Sequence, residues 1–437
     1  MAHTFPGGIH PDSRKEATCG KPIELLKAPE KVILPVSMHI GAPCTPLVKA
    51  GDHVCLGQKI ADSTAPVSAP VHATVSGTVT EVAPRLHPNG SMVLSVVIEN
   101  DGLDTPDPSV HPLDIDTMSQ DEIIAAIREA GIVGHGGAAF PTHVKIQSGI
   151  GKVDSLLINC AECEPYITSD HRVLLEYPWE VIGGARILQK LFGVQSAVLG
   201  IELNKRDAFP VLKTHLPTDG SVRLEPLACK YPQGAEKQLI KALTGRDVPS
   251  GKLPADVGCA VFNADTAGAV YRLFVTGLPM IRRIVTVSGS AVSNPKNLEV
   301  RIGTPIEDLL EACGGFLEPP NKLLMGGPMM GNPLFSAEVP VIKGTNAILA
   351  FYKEECPIPA RTACIRCGKC VSACPMYLMP TSIFQHYEKG DVAGCERLRA
   401  YDCVECGACT YVCPAKIPLV QGIRSAKQRV MDARRKK

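Results

Sequence analysis

Two stretches of the sequence repeat one pattern, CIRCGKCVSACP at 364–375 and CVECGACTYVCP at 403–414. Each is C-x2-C-x2-C-x3-C-P, which places three thiols on one tight loop and a fourth on the turn beyond it. Nothing else in the chain restricts its folding as strongly, because these cysteines must converge on two points. Such spacings hold 4Fe–4S clusters, and in two-cluster ferredoxins the fourth cysteine of one loop serves the cluster of the other. That rule assigns Cys364, Cys367, Cys370 and Cys413 to one cluster, and Cys403, Cys406, Cys409 and Cys374 to the second. Zinc fits poorly, since zinc ribbons set their C-x2-C pairs far apart and have no use for a third cysteine two residues on. Gly368 and Gly407 leave room for backbone beside inorganic sulfide, and Pro375 and Pro414 end the turns. Between the loops, SIFQHYEKGDVAGCERL has helical periodicity, so a helical two-cluster module is expected. Cys356 and Cys395 lie outside the pattern and read as bystanders.

A module of this kind relays electrons and generates none, so the rest of the chain should hold a donor or acceptor site. The 18 cysteines in 437 residues are too dilute for a disulfide scaffold and suit a reducing compartment. With Lys+Arg 45 against Asp+Glu 44 there is no bulk attraction to nucleic acid. Apolar runs such as VLSVVI at 93–98 have strand length, not membrane length, and MAHTFPGGIHP lacks the features of a signal peptide. A soluble or peripheral protein is expected.

Residues 30–100 alternate β-rich runs with turn signals. The phrases VKAGDHVCLGQKIA (48–61) and APVHATVSGTV (69–79) look like a biotinyl/lipoyl-type barrel-sandwich hybrid. The carrier form of that domain needs a lysine on the hairpin between its halves. DSTAPVS (62–68) has none, so the domain reads as a scaffold. NDGLDTPDPSVHPLD (100–114) marks a linker, and helix DEIIAAIREAG follows, with Gly131 as its stop. Strands and helices then alternate. SLLINC (155–160), SAVLGI (196–201), VRLEPL (222–227) and CAVFNA (259–264) read as strands. HRVLLEYPWEVIGGARILQKLFG (171–193), AEKQLIKALTG (235–245) and TAGAVYRLFVTG (266–277) read as helices. This alternation predicts an α/β layer on a largely parallel sheet, with ligands at the carboxyl ends of the strands. From 282 to 315 strand, turn, strand and helix suggest a small β-grasp-like unit.

GHGGAAFPTHVK (134–145) is a glycine-rich loop ending in a lysine. Its backbone N–H groups could close on a phosphate, with Lys145 adding charge, although a plain tight turn explains the glycines equally well. Three further loops follow predicted strands. NCAECEP carries Asn159, Glu162 and Glu164; KYPQGAEKQL carries Tyr231, Gly234 and Glu236 at a helix start; FNADTAG carries Asn263 and Thr266. Together they suggest one pocket, though each carboxylate singly reads as a solvated surface charge.

These motifs carry a resemblance. GHGGAAFPTHVK resembles the flavin loop GRGGAGFPTGLK of the NADH-oxidising flavoprotein subunit of respiratory complex I. NCAECEP is similar to that family's N-A-D-E-x-E-P, and YPQGAEKQLIKALTG to its Y-x-x-G-E-E-T-x-L-x-x-x-L-x-G. With FPGGIHP, MHIGAPCTPLVKAGD, VSAPVHATVSG and AECEPYITSDHR, the chain from Phe5 to about Arg424 resembles the C subunits of Rnf electron-transport complexes. The flavoprotein cobalamin reductases of propanediol-utilisation systems are weaker relatives.

The resemblance implies FMN on the loop through Gly134, Gly136, Gly137, Ala138, Phe140, Thr142 and Lys145, with NAD(H) stacked on it and Asn159, Glu162 and Glu164 in the acidic loop beside it. Tyr231, Gly234 and Glu236 match the nucleotide-contacting helix start. His135 replaces an arginine of the complex I pattern, Ala161 an aspartate and Ala235 a glutamate, which leaves the nicotinamide contacts open. It further implies an NADH-oxidising subunit of an ion-translocating NADH:ferredoxin oxidoreductase, peripheral on the cytoplasmic face of the cell membrane. Its partners would be membrane-embedded and iron–sulfur subunits of the same complex, with ferredoxin reached indirectly. Expected domains are 1–114, 115–280 (FMN/NADH-binding), 281–350 (β-grasp-like, SLBB-type) and 351–437 (clusters). The rivals are a soluble cobalamin reductase with the same cofactors and a non-catalytic relay with an empty α/β pocket. The end RSAKQRVMDARRKK (424–437) is strongly basic. It reads first as a solvated, frayed terminus and otherwise as an electrostatic membrane contact.

Overall fold

A computed structural model describes residues 2–136, 138–357 and 359–435. The expected parallel sheet is present, with strands in the order Val222–Leu227, Ala197–Glu202, Ser155–Cys160, Cys259–Asn263. Leu156 and Ile158 pack into one core with helices Pro178–Phe192 and Ala264–Thr276, whereas Leu157 packs with Leu239 and Ile240 of helix Glu236–Thr244. Both faces are thus covered, which is why the strands read as continuous apolar runs and not as alternating ones. The first two helices approach so closely that a Cβ on Gly184 would lie 1.8 Å from the Ala267 carbonyl oxygen. The first strand in sequence lies beside the last, so the winding reverses between Ser155–Cys160 and Cys259–Asn263. Ligands on such sheets bind at that reversal, beyond the carboxyl ends of the strands.

The helix expected over 171–193 is two helices, Ser169–Glu176 and Pro178–Phe192. Pro178 removes a backbone donor and pushes Tyr177 out of helical geometry, so the run breaks there.

The barrel-sandwich hybrid consists of two small antiparallel sheets. One holds Lys31–Pro35, Met92–Asn100, Gly77–Leu86 and His53–Val54; the other holds Thr45–Pro46, Lys59–Asp62 and Val71–His72. Val32, Leu34, Ile60, Val71, Val96 and Ile98 fill the space between. The third unit is a mixed six-stranded sheet in which Arg282–Ser288 and Lys296–Arg301 pair antiparallel, with helix Ile306–Ala312 following. Its edge strand, Ile23–Leu25, comes from the N-terminal segment and runs parallel to Lys296–Arg301. One buried lysine joins three units: Lys343 Nζ donates to Pro70 O and Gly131 O, both at 2.6 Å.

In the C-terminal unit the expected helical connector is split at Gly390 (φ 70°) into Pro380–Glu388 and Val392–Arg397. The basic end corrects the frayed reading. Leu419–Arg435 is one helix that buries Leu419, Ile423, Ala426 and Val430. Four of its cations are engaged: Lys427 and Arg424 with Glu405, Arg434 with Glu396 and over the Tyr401 ring, and Arg429 over the Tyr387 ring. Lys436 and Lys437 lie outside the described residues.

Candidate functional site: the sheet crevice and the cysteine loops

The glycine-rich loop sits at the reversal point. It is closed by Gly134 N donating to Phe140 O at 2.8 Å, and Thr142 N donates to Ile132 O. Ala138 O accepts from Ile40 N of the barrel-sandwich unit, and Thr142 is buried. A Cβ on Gly136 would meet nothing within 4 Å, so that side of the loop is open. Gly137 lies outside the described residues. His135 anchors the loop to the sheet: its N–H donates to Thr266 Oγ1 at 2.9 Å and its Nδ1 bonds Asp265 Oδ2 at 2.7 Å. Arg283 bonds the same Asp265 oxygen at 2.9 Å and also the His135 carbonyl. Burial, then the Arg283 charge, holds His135 neutral with a pKa of about 4. Its Nε2 is buried with no hydrogen-bond partner among the described residues.

Several expected residues meet one another. Lys145 Nζ donates to Glu236 Oε1 at 2.7 Å and Val261 O at 2.9 Å, so a phosphate on this loop would share Lys145 with Glu236. Asn159 Nδ2 donates to Gly234 O at 2.7 Å, tying the acidic loop to the helix start. Asn263 caps its helix by accepting from Asp265 N and Thr266 N, and it donates to Asp170 at 2.6 Å. Glu162 caps the helix Ser169–Glu176 by accepting from Asp170 N at 2.6 Å and His171 N at 3.2 Å. Glu162 and Asn263 therefore hold the crevice walls.

Two buried lysines that carry no sequence signal brace the same loop. Lys15 Nζ donates to the carbonyls of Glu162 and Ile167, and Lys205 Nζ to that of Ala161. Asp265, Arg283 and Asp170 are equally silent in the sequence, since each finds its partners far along the chain.

Glu164 and Tyr231 face elsewhere. Burial pushes the Glu164 carboxyl up to about 7, against the N–H groups of Met329 and Met330 that favour its anion. Its Oε1 lies 3.4 Å from the Tyr231 hydroxyl, which donates to Cys406 O at 2.8 Å. The crevice loop is thus linked to the second cysteine loop through one phenol. A cavity there is lined by Cys374, Cys403, Cys406 and Cys409, the four residues assigned by the crossover rule. Each of the last three has its thiol pKa raised by burial and then by neighbours that include Cys374. Such a donor set, four soft thiols in an apolar pocket, suits an iron–sulfur cluster. Cys364, Cys370 and Cys413 pack in the adjoining core and Cys367 is exposed. Thr362 N donates to Ala415 O at 3.0 Å, bringing the first loop beside Cys413. Cys395 is buried in the same core, with its thiol toward the Ile383 carbonyl, and Cys356 packs near Tyr166.

Sheet, crevice and cysteine loops define a flavin- and iron–sulfur-type oxidoreductase. Family models agree along the chain: an RnfC barrel-sandwich hybrid domain matches residues 3–103, a Nuo51 FMN-binding domain 127–272, an SLBB domain 284–333 and a 4Fe-4S dicluster domain 361–417. The chain is 48% identical to the C subunit of the Na(+)-translocating ferredoxin:NAD(+) oxidoreductase complex of Acetobacterium woodii, over 99% of this chain and 98% of that one. It is 45% identical to the proton-translocating counterpart of Clostridium ljungdahlii, over 88% and 84%. It is 41% identical to the C subunit of the ion-translocating oxidoreductase complex of Rhodobacter capsulatus, over 100% and 85%. It belongs to this family of Rnf complex C subunits. A solved NAD+-reducing [NiFe]-hydrogenase chain shares the fold at 18% identity and a TM-score of 0.51, over 72% of this chain and 61% of that one. No helix among the described residues is long and apolar enough to cross a membrane.

Proposed function

We propose that the chain is the NADH-oxidising peripheral subunit of an Rnf-type complex, passing electrons inward from the crevice to the cysteine loops. The observation that carries this reading is the Glu164–Tyr231–Cys406 contact, which sets the sheet crevice directly against the Cys374/Cys403/Cys406/Cys409 cavity. Gly134, Gly136, Ala138 and Phe140 would line an FMN, with Gly137 between them, and Lys145 and Glu236 would meet its polar end. When bound, FMN supplies the conversion of a two-electron hydride into single electrons. The protein orients the cofactor and holds the loop: Asp265, Arg283 and Thr266 immobilise His135, and Lys15 and Lys205 immobilise the acidic loop.

The cavity group then stands nearest the crevice, and the Cys364/Cys367/Cys370/Cys413 group stands further out. Membrane-embedded and iron–sulfur subunits would receive the electrons on the cytoplasmic face, and ion movement would be their task. The functional division falls at 1–114, 115–280, 281–350 and 351–437.

The test is anaerobic reconstitution with FMN, iron and sulfide, followed by an NADH titration. Loss of flavin absorbance together with reduced-cluster signals in electron paramagnetic resonance is expected. Clusters that form but stay oxidised under NADH would leave the chain a relay with an empty crevice.

A further inference from the structure

The cysteine loop on the outer side has surroundings that its twin lacks. Ile365, Val371 and Tyr411 flank its ligands at 67%, 41% and 52% exposure, and Cys367 is itself exposed. Large apolar side chains in such a cluster on a soluble surface mark an interaction site. Within the two cysteine-bearing segments the charge has one sign. The segments 361–379 and 409–418 carry Arg361, Arg366, Lys369 and Lys416 and not one Asp or Glu. Arg361 is paired with Glu388, while Arg366, Lys369 and Lys416 are exposed with no ion-pair partner among the described residues. At the matching positions of the inner loop stand Glu405 and Ala408, with Glu405 neutralised by Lys427 and Arg424. The two loops share a backbone, so the three free cations are not needed to shape it.

We propose that this apolar, cationic face is the docking surface for an acidic electron-transfer partner that carries its own one-electron centre. The inference rests on the function proposed above and names the partner's chemistry. Charge complementarity commits it to an acidic protein surface. The exposed ligand Cys367 fits the same role, since electron transfer weakens steeply with distance and needs the two centres close. Each transfer through the face oxidises this chain by one electron and reduces the partner by one. Two transfers match one NADH oxidised to NAD+, with its proton released to solvent.

The test uses the reconstituted full chain and a small acidic two-cluster ferredoxin as probe. Affinity is measured by calorimetry at low and high salt, and carbodiimide cross-links from probe carboxylates are mapped by mass spectrometry. The variant R366E/K369A/K416E copies the inner loop's residues at two of its positions. It should lose ~10-fold in affinity at low salt, with the difference shrinking as salt screens it. Cross-links in the unmodified chain should fall on Lys369 or Lys416. Lys49→Glu, a single charge reversal of the same kind placed on the barrel-sandwich unit, should shift affinity by less than about twofold.

Unchanged affinity in the triple variant, or cross-links confined to other lysines, overturns the docking face. So does a triple variant that keeps the probe but loses binding to vesicles of anionic lipid, since the face would then be a membrane contact. NADH reduction of each variant is read in parallel. If NADH fails to reduce even the unmodified chain, the proposed function falls while the binding result still decides the surface.

Discussion

The two cysteine loops have nearly the same backbone and opposite surroundings. Arg366 and Glu405 adopt φ of 55° and 59°, Gly368 and Gly407 both 75°. In each loop the third residue's N–H points at the first thiol, Arg366 N to Cys364 at 3.4 Å and Glu405 N to Cys403 at 3.3 Å. Around the inner loop the carbonyls are claimed by the rest of the protein. Lys427 donates to Cys403 O and Tyr231 to Cys406 O. Gly8 of the N-terminal segment donates to Ala373 O, and a Cβ on Gly7 would lie 2.9 Å from Cys374 O. The counterpart carbonyls of the outer loop, those of Cys364 and Cys367, have no such donor among the described residues. Short-range sequence thus shapes both loops alike, and contacts from across the chain make one an interior junction and the other a face. Hydrogen bonding and solvent exposure tune cluster potentials, so the twins should differ in potential as well as in position.

The largest effect should come from splitting the crossed ligands. Cys374→Ala should remove the inner cluster and, because that cluster fills the junction, also loosen the C-terminal unit. Cys413→Ala should remove the outer cluster and leave the junction standing. Iron analysis should show each variant losing about half its iron, while only Cys374→Ala lowers the melting temperature markedly. Equal melting losses would break the division into junction and face.

A pH experiment sharpens the inner side. Folded Glu164 keeps its proton up to about 7, whereas an unfolded glutamate releases it near 4.5. The folded chain therefore holds more protons in that window, and Glu164 lowers stability progressively as pH rises from about 4.5 to about 7, by ~3 kcal/mol in all. Glu164→Gln should flatten that slope, so its stability relative to the parent rises with pH. Denaturant midpoints across the window decide it, and a parallel slope in both proteins would return Glu164 to an ordinary solvated carboxylate.

Tyr231→Phe tests the same junction more gently. It strands the Cys406 carbonyl without its donor, at a cost of about 1–3 kcal/mol. Denaturant midpoints should move accordingly while FMN content stays constant.

Much of the parallel sheet is legible because Leu156–Ile158 and its neighbours form apolar runs of strand length, and the helices that alternate with them end at Gly193, Gly245 and Gly277, with φ between 64° and 75°. The grouping of Cys374 with Cys403, Cys406 and Cys409 around one cavity is legible because the repeat spacing, read with the crossover rule, brings those four together. The strap Phe5–Ile9 and the edge strand Ile23–Leu25 are not, since their partners Tyr231, Ala373 and Lys296–Arg301 lie hundreds of positions away. Buried charges such as Asp265 and Arg283 look like any surface residues until both are placed. Tyr231 and Glu164 fall in motifs that suggest a nucleotide, and their joint reach to Cys406 has no trace in local sequence. The C-terminal helix escapes because its apolar positions are sparse and its docking depends on Glu405, Glu396 and Tyr401.

The smallest expected effect is also the most direct comparison of the twins, an exchange of their third residues. Both positions have positive φ, which costs Arg and Glu alike, so the backbone term cancels between the two swaps. Arg366 is exposed and has no ion-pair partner among the described residues, so Arg366→Glu should change stability by less than about 0.5 kcal/mol. Glu405 is engaged by Lys427 at 2.8 Å and Arg424 at 2.9 Å, and its side chain is only 30% exposed. Glu405→Arg would place three cations together beside the Cys403 carbonyl that Lys427 already contacts. Losing two partly screened pairs and adding repulsion should cost about 1–2 kcal/mol, more at low salt than at high. Chemical denaturation of both variants at two ionic strengths measures the asymmetry. Equal costs would mean that the inner loop's ion pairs contribute nothing to its junction, and that packing around Tyr231 and Met329 alone sets the twins apart.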